Sequence, residues 1–432
     1  MDAREHEAPR PQTSSSPDVD RVEPSVEVVL RFARAGHEAG YPTADLEERL
    51  VALARAVGHV DAQVSATPTL VELSLGSIAR QRSYTLRVRP RAVDLAAIAR
   101  LDELVGDVLG GRLDVDGLIA ALEDVEEHPL KRPWPLLLAA YAIAGAALTP
   151  VLGGGWREAL AGAVVGLVVG AIALPAEGSA RLEPMIAPVA AVAASFSAAL
   201  LAELGVSAAP DLVTLAALVT LLPGMRLTIG MRELATDHLQ SGVANTASAL
   251  VQLLGLVFGV GIGRSIATDW FGATQPIEPE TAFSGIELLA ALAAGLAFTL
   301  TLRARYRDAF LMCGATVLAL GANEVGIAVF GREAAVFVAA LTVGVVGGLL
   351  GARFHRSPLV FIVPGILMLV PGSAGFNSAL QLLSNQTVSG ITAAFDTFVT
   401  AMSIAYGLIV SASLLPGHVG APSRRRDDLV ES

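Results

Sequence analysis

From Lys131-Arg132 onward the chain is too apolar to fold as a water-soluble protein. A hydrocarbon core of ~30 Å takes about 20 apolar residues per crossing helix. The sequence supplies ten such stretches, at 134–152, 159–175, 185–204, 211–229, 243–264, 282–302, 309–329, 334–352, 358–373 and 390–415. Only 16% of the 432 residues are charged, where soluble domains carry roughly a quarter. The charge is also uneven: residues 1–130 hold 14 arginines and 23 acidic residues, and residues 131–432 hold 16 basic and 18 acidic ones. The expected fold is an α-helical polytopic membrane protein of about ten transmembrane helices, preceded by a polar N-terminal domain.

Residues 1–24 are polar and rich in Pro and Ser, lack an apolar signal-peptide core, and read as a disordered tail. In residues 25–130, Val26, Val29, Leu30, Phe32 and Ala33 recur at helical spacing, as do Leu46, Leu50, Leu53 and Val57. The turn Gly40-Tyr-Pro-Thr-Ala lies between these runs, with Thr43 placed to cap the second helix. Short alternating runs at Val64–Ala66, Thr69–Ser74 and Tyr84–Val88 predict strands, and helical patterns follow at Leu95–Leu109 and Val115–Leu122. The order predicts a small α+β domain. His37, His59 and His128 stand apart, with no second ligand at metal-binding spacing, and read as structural. Asp114 and Asp116 open like a calcium loop, but Leu118, Ile119 and Ala120 occupy the later ligand positions, so Asp114 reads as a helix cap. The single cysteine, Cys313, excludes a disulfide framework. The acidic N-terminal domain, with no basic stripe, argues against nucleic-acid binding.

Orientation follows from basic residues in short loops. With the N-terminal domain in the cytoplasm, thirteen Lys and Arg fall on the cytoplasmic side and three, Arg157, Arg264 and Arg332, on the outer side. Both termini are then cytoplasmic, in the plasma membrane, and residues 416–432 form a cytoplasmic tail. Gly162, Gly166 and Gly170, and likewise Gly255, Gly259 and Gly263, stand four apart, the spacing of close helix packing. Such runs serve one chain or two copies equally, which leaves a homo-oligomer open.

Residues 131–415 also repeat. The fourth span contains Leu221-Leu222-Pro223-Gly224 followed by Arg226, Thr228, Arg232, Asp237 and Gln240. The ninth contains Pro364-Gly365 and Leu369-Val370-Pro371-Gly372, followed by Ser373, Asn377, Gln381 and Asn385. Each is fourth in a group of five, so the second five-helix unit would be inverted relative to the first. Broken segments at matching places in inverted halves point to a transporter's substrate site; Pro-Gly pairs that merely end a helix are the plainer alternative. Ionisable groups inside spans mark function by default. Asp396, about two turns into the tenth span, and Glu324 in the seventh are the candidates for carrying a proton, whereas Glu287 reads as interfacial. Asn245, Thr246 and Gln252 in the fifth span suit either a polar solute or a neighbouring helix.

Leu222-Pro223-Gly224-Met-Arg226-Leu-Thr228 resembles the threonine/serine exporter family. So do the segment from Arg232-Glu233-Leu through Ser241-Gly242, and Val363-Pro364-Gly365 with Val370-Pro371-Gly372. Ala35-Gly36, Leu46-Glu47-Glu48-Arg49-Leu50 and Thr67-Pro68-Thr69 extend the resemblance into the N-terminal domain. Gly230-Met231 departs from it, standing where a more polar continuation is expected. The resemblance covers residues 25–415 and implies export of small hydroxy amino acids, threonine or serine, driven by the proton motive force. It implies no cofactor, and the only lysine, Lys131, leaves no Gly-Lys-Ser/Thr loop for ATP. Another small polar solute, or an enzyme with its centre in residues 25–130, are the competing functions; the second calls for a nucleophile–base cluster that the sequence does not display.

Overall fold

The computed structural model describes residues 23–88, 92–179, 181–272, 286–354, 356–369, 371–383 and 387–415. The expected tails lie outside these residues, apart from Glu23 and Pro24.

The first part of the chain forms helices α1 (Pro24–Glu38) and α2 (Thr43–Ala56), strands β1 (Gln63–Thr67), β2 (Leu70–Leu75) and β3 (Arg82–Arg87), then α3 (Leu95–Leu109) and α4 (Val115–Glu127). The strands form an antiparallel meander in the order β1-β2-β3, with Val64 opposite Leu73 and Val71 opposite Leu86. One face of the sheet and one stripe of each helix are apolar, and they close on a core that includes Phe32, Leu46, Leu50, Leu73, Ile98, Leu101 and Leu118. Asp114 caps α4, its carboxylate accepting from the Gly117 N–H at 2.9 Å. His37 is buried, its ring bonded to the Thr67 carbonyl, and His59 pairs with Ser25.

The apolar remainder is helical throughout the described residues. It runs through α5 (Trp134–Val151), α6 (Trp156–Ala176), α7 (Glu183–Glu203), α8 (Pro210–Leu218), α9 (Gly224–Ala235) and α10 (Leu239–Phe271). It continues through α11 (Ile286–Thr301), α12 (Ala309–Phe330), α13 (Arg332–Phe354), α14 (Leu359–Leu369), α15 (Pro371–Leu383) and α16 (Thr387–Leu414). Among the described residues, eight stretches are long and apolar enough to cross a membrane, and α8 with α9 makes a ninth if that bent pair counts as one span. The ten expected stretches map onto these nine and onto α11, a shorter apolar helix of 16 residues. Residues 282–285 of the sixth expected span, and Asn385 after the ninth, lie outside the described residues.

Packing follows the glycine spacing. α5 lies against α6, α7 against α10, and α13 against α16. A Cβ on Gly162 would sit 2.6 Å from the Gly145 carbonyl oxygen, so only glycine lets α5 and α6 approach this closely. The two Pro-Gly segments are neighbours, since α9 packs on α14 and α15 as well as on α10 and α16. The α+β unit docks on one end of the bundle. Leu95 N–H donates to the Leu302 carbonyl at 3.0 Å, Arg305 forks onto Glu103 at 2.6 and 3.1 Å, and Arg132 stacks over Tyr306.

Candidate functional site

The first Pro-Gly pair breaks its helix. α8 ends in a 3-10 turn at Val219–Leu221, Leu222 turns extended (φ −67°, ψ 130°), and α9 starts at Gly224 with its axis bent 58°. The cause is local: Pro223 has no N–H, and its ring drives the preceding residue out of the helical region. The break leaves the Leu221 carbonyl without its helical donor, and Gln252 of α10 supplies one, its Nε2 at 2.8 Å. The same Gln252 accepts from Arg226 Nη1 at 3.3 Å through its Oε1, and Ser248 Oγ lies 3.4 Å from that nitrogen. Thr228 is buried and donates back to the Gly224 carbonyl at 3.0 Å. Thr220 and Thr246 have buried hydroxyls with no hydrogen-bond partner among the described residues.

At the second pair the chemistry differs. Pro364 lies inside α14, buried, and a Cβ on Gly365 would meet Val343 of α13 at 2.6 Å. Pro371 and Gly372 open α15. Asn377 is exposed, while its neighbours Phe376 and Ser378 are buried, Ser378 donating to the Gly390 carbonyl at 2.9 Å. α15 touches α9, α10 and α16, so the structure brings both broken segments together.

Asp396 and Glu324 are not part of this assembly. Both are exposed, on α16 and α12, and neither has a hydrogen-bond or ion-pair partner among the described residues. Phe395 and Phe398, beside Asp396, are exposed as well. Position along a span gives depth but not facing, which is why the sequence could not separate a buried carboxylate from an outward one. Glu287 is also exposed.

The polar centre that sequence reasoning missed joins the α+β unit to α9. Thr43 does not cap α2; Pro42 occupies that position, and the Thr43 hydroxyl donates instead to Glu233 of α9. Glu233 is 1% exposed and accepts a second bond from Asn245 Nδ2 of α10, at 2.7 Å. Arg232 grips Asp45 with both terminal nitrogens, at 3.1 and 2.9 Å. His238 lies 3.2 Å from Glu47, whose other oxygen takes the Ala66 N–H at 2.5 Å. Burial pushes the Glu47 carboxyl above its ordinary range, against the opposing pull of the Ala66 N–H and His238. Asn245 and Gln252 therefore both serve neighbouring helices. Gly230, the departure from the family pattern, has a packing reason: a Cβ there would fall 2.5 Å from Thr246 Oγ1 and 3.1 Å from the Gly242 carbonyl oxygen. The one sequence signal for this centre was the Arg232-Glu233 pair directly after an apolar span.

Comparison with known proteins agrees in direction. The ThrE family model, for threonine/serine exporters, matches residues 27–267, and a second model, described as threonine/serine exporter, ThrE, matches residues 286–414. A protein of Mycobacterium tuberculosis named "Probable threonine/serine exporter" is 26% identical over 429 residues, covering 94% of this chain and 79% of that protein. The "Threonine/serine exporter" of Corynebacterium glutamicum is 25% identical, covering 73% of this chain and 66% of its own. "Pheromone-regulated membrane protein 10" of Saccharomyces cerevisiae is 25% identical, covering 87% of this chain, which spans half the yeast protein's length. No solved structure matches. The family consists of membrane exporters rather than enzymes. Two family models in tandem, a broken polar helix and a bundle of apolar spans agree: this chain belongs to the threonine/serine exporter family.

Proposed function

We propose that the chain is a secondary transporter that exports threonine, serine or a similar small amino acid from the cytoplasm, coupled to the proton motive force. Residues 25–130 form its cytoplasmic α+β domain and residues 131–415 its transport domain, in the plasma membrane with both termini inside. The 58° break at Pro223 carries this reading. It sets the first N–H groups of α9 and the Arg226 guanidinium within one turn of each other in an apolar bundle. Helix N-terminal N–H groups and arginine both suit a carboxylate, so the substrate's carboxylate binds at Gly224–Arg226. Carbonyls freed by Pro223, Pro364 and Pro371 take its ammonium, and Asn377 or Thr228 its hydroxyl.

Two inverted five-span units, α5–α10 and α11–α16, support alternating access around this place. α7 packs on α10 as α13 packs on α16, and α6 packs on α8 as α12 packs on α14. The broken segments of the two units touch where α9 meets α15. Asp396 and Glu324, carboxylates at span depth without partners, carry the coupling proton, because an uncompensated charge there is costly.

The test is flux in liposomes holding the purified full-length chain. Labelled threonine or serine moves faster under an imposed pH gradient, and Asp396→Asn with Glu324→Gln abolishes the gradient's effect while leaving folded protein. Gradient-independent movement in the wild type would remove proton coupling, and no movement of either amino acid would remove the substrate class.

A further inference from the structure

Glu233 is a carboxylate buried to 1% exposure; the neighbouring Arg232 guanidinium feels its charge, but no cation lies at ion-pair distance from it among the described residues. Its oxygens are held by two neutral donors from different parts of the fold, Thr43 of the α+β unit and Asn245 of α10. Burying a charge without an ion-pair partner is costly, so stability alone is a weak reason for glutamate at this position. The surroundings supply another. α2 aims its N-terminal end at α9: Thr43 is its first residue, and the helix dipole there favours a carboxylate. Asp45 and Glu47, at the next positions on the same end, hold Arg232 and His238. Three ties thus join one end of α2 to the last turn of α9 and the residues directly after it.

α9 is 12 residues long, roughly 18 Å at 1.5 Å per residue, and starts at the Pro223 break. Leu227 and Met231 pack it on Ala401 and Ala405 of α16, and Gly230 lets it lie on the backbone of α10. A short rigid rod held at its far end transmits any rotation of α2 to the break and to Arg226.

We propose that Glu233 is a positioning residue for transport, through which the α+β unit sets the angle of α9 at Pro223. The proposal rests on the reading of that break as the substrate path.

The experiment uses the full-length chain in liposomes with labelled threonine. Thr43→Val removes the donor at nearly constant shape, Thr43→Ser keeps it, and Glu233→Gln removes the charge. A positioning role predicts that Thr43→Val and Glu233→Gln lower Vmax per folded molecule about tenfold while KM stays within about twofold, with Thr43→Ser close to wild type. It also predicts faster amide exchange across residues 224–235 in Thr43→Val, a readout available even if a variant is transport-dead. Unchanged Vmax with unchanged exchange in Thr43→Val overturns the proposal, as does a loss confined to the amount of folded protein. Arg226→Gln and Pro223→Ala in the same assay test the underlying reading separately. If both leave KM and Vmax at wild-type values, the break is not the substrate path, whatever Thr43→Val does.

Discussion

The two Pro-Gly segments start from nearly the same sequence, Leu-Leu-Pro-Gly at 221–224 and Leu-Val-Pro-Gly at 369–372, yet they are built into the bundle differently. The first is bent by 58° and is fastened by charged and polar side chains from outside its own helix, namely Gln252, Asn245, Thr43 and Asp45. The second, Leu359–Gln381, passes as one apolar stretch of 23 residues, and no charged side chain fastens it among the described residues; Ser378 donates to the Gly390 carbonyl. Proline sets where a helix can break; the residues that follow decide what holds the break open. Arg226, Arg232 and Glu233 follow the first, whereas Ser373, Ala374 and Gly375 follow the second. The first segment is therefore tied to the α+β unit through Thr43 and Asp45, whereas the second packs among helices.

Asp45→Ala leaves Arg232 unpaired at a site where the two side chains are 26% and 13% exposed, and costs about 3 kcal/mol. Ser378→Ala, which cuts the corresponding tie of the second segment, costs about 1 kcal/mol. Denaturant unfolding of the full chain in detergent reads both, and equal costs would erase the distinction. Next in size is Gly230→Ala, whose Cβ meets Thr246 Oγ1 at 2.5 Å and the Thr246 nitrogen at 3.0 Å, for about 2 kcal/mol of overpacking. Gly375→Ala meets the Thr397 and Leu253 side chains at 3.2 and 3.3 Å, which can yield, and stays under about 1 kcal/mol.

Pro223→Ala removes the break and lowers threonine flux about tenfold, equivalent to about 1.4 kcal/mol. Pro364→Ala, inside a continuous helix, leaves flux within about threefold of wild type and raises the melting temperature, because it restores a helical hydrogen bond. The smallest effect is in pH. Burial raises the Glu47 carboxyl, so the folded chain keeps a proton that the unfolded chain releases. That contribution to stability is complete below the ordinary carboxyl range and is lost as pH rises through the raised value. Glu47→Gln cannot titrate, so its melting temperature gains on wild type as pH rises from the carboxyl range to neutrality.

Much of this fold was legible as pattern. The helical run at Leu95–Leu109 is the observed α3, and Asp114 caps α4, because both are decided by residues within one turn. The break at Pro223 was legible for the same reason. Thr43 was not: its sequence neighbours suit an N-cap, but its partner, Glu233, stands 190 residues away. Asn245 and Gln252 could be placed on a span but not aimed, and both turned out to serve helices rather than open space. Asp396 and Glu324 show the same gap from the other side, since their depth was readable and their outward facing was not. The fourth expected span shows how a break hides a crossing: Pro210–Leu221 with Gly224–Ala235 is long and apolar enough only when both halves are joined.

Whether the substrate passes the Pro223 break is tested most directly by protection of a single cysteine. With Cys313→Ala as background, Ser248→Cys places a thiol at an exposed position beside Arg226. Threonine should slow its alkylation several-fold, and threonine amide, which lacks the carboxylate that Arg226 would hold, should not. An alkylation rate indifferent to threonine, in protein that still transports it, would place the path elsewhere.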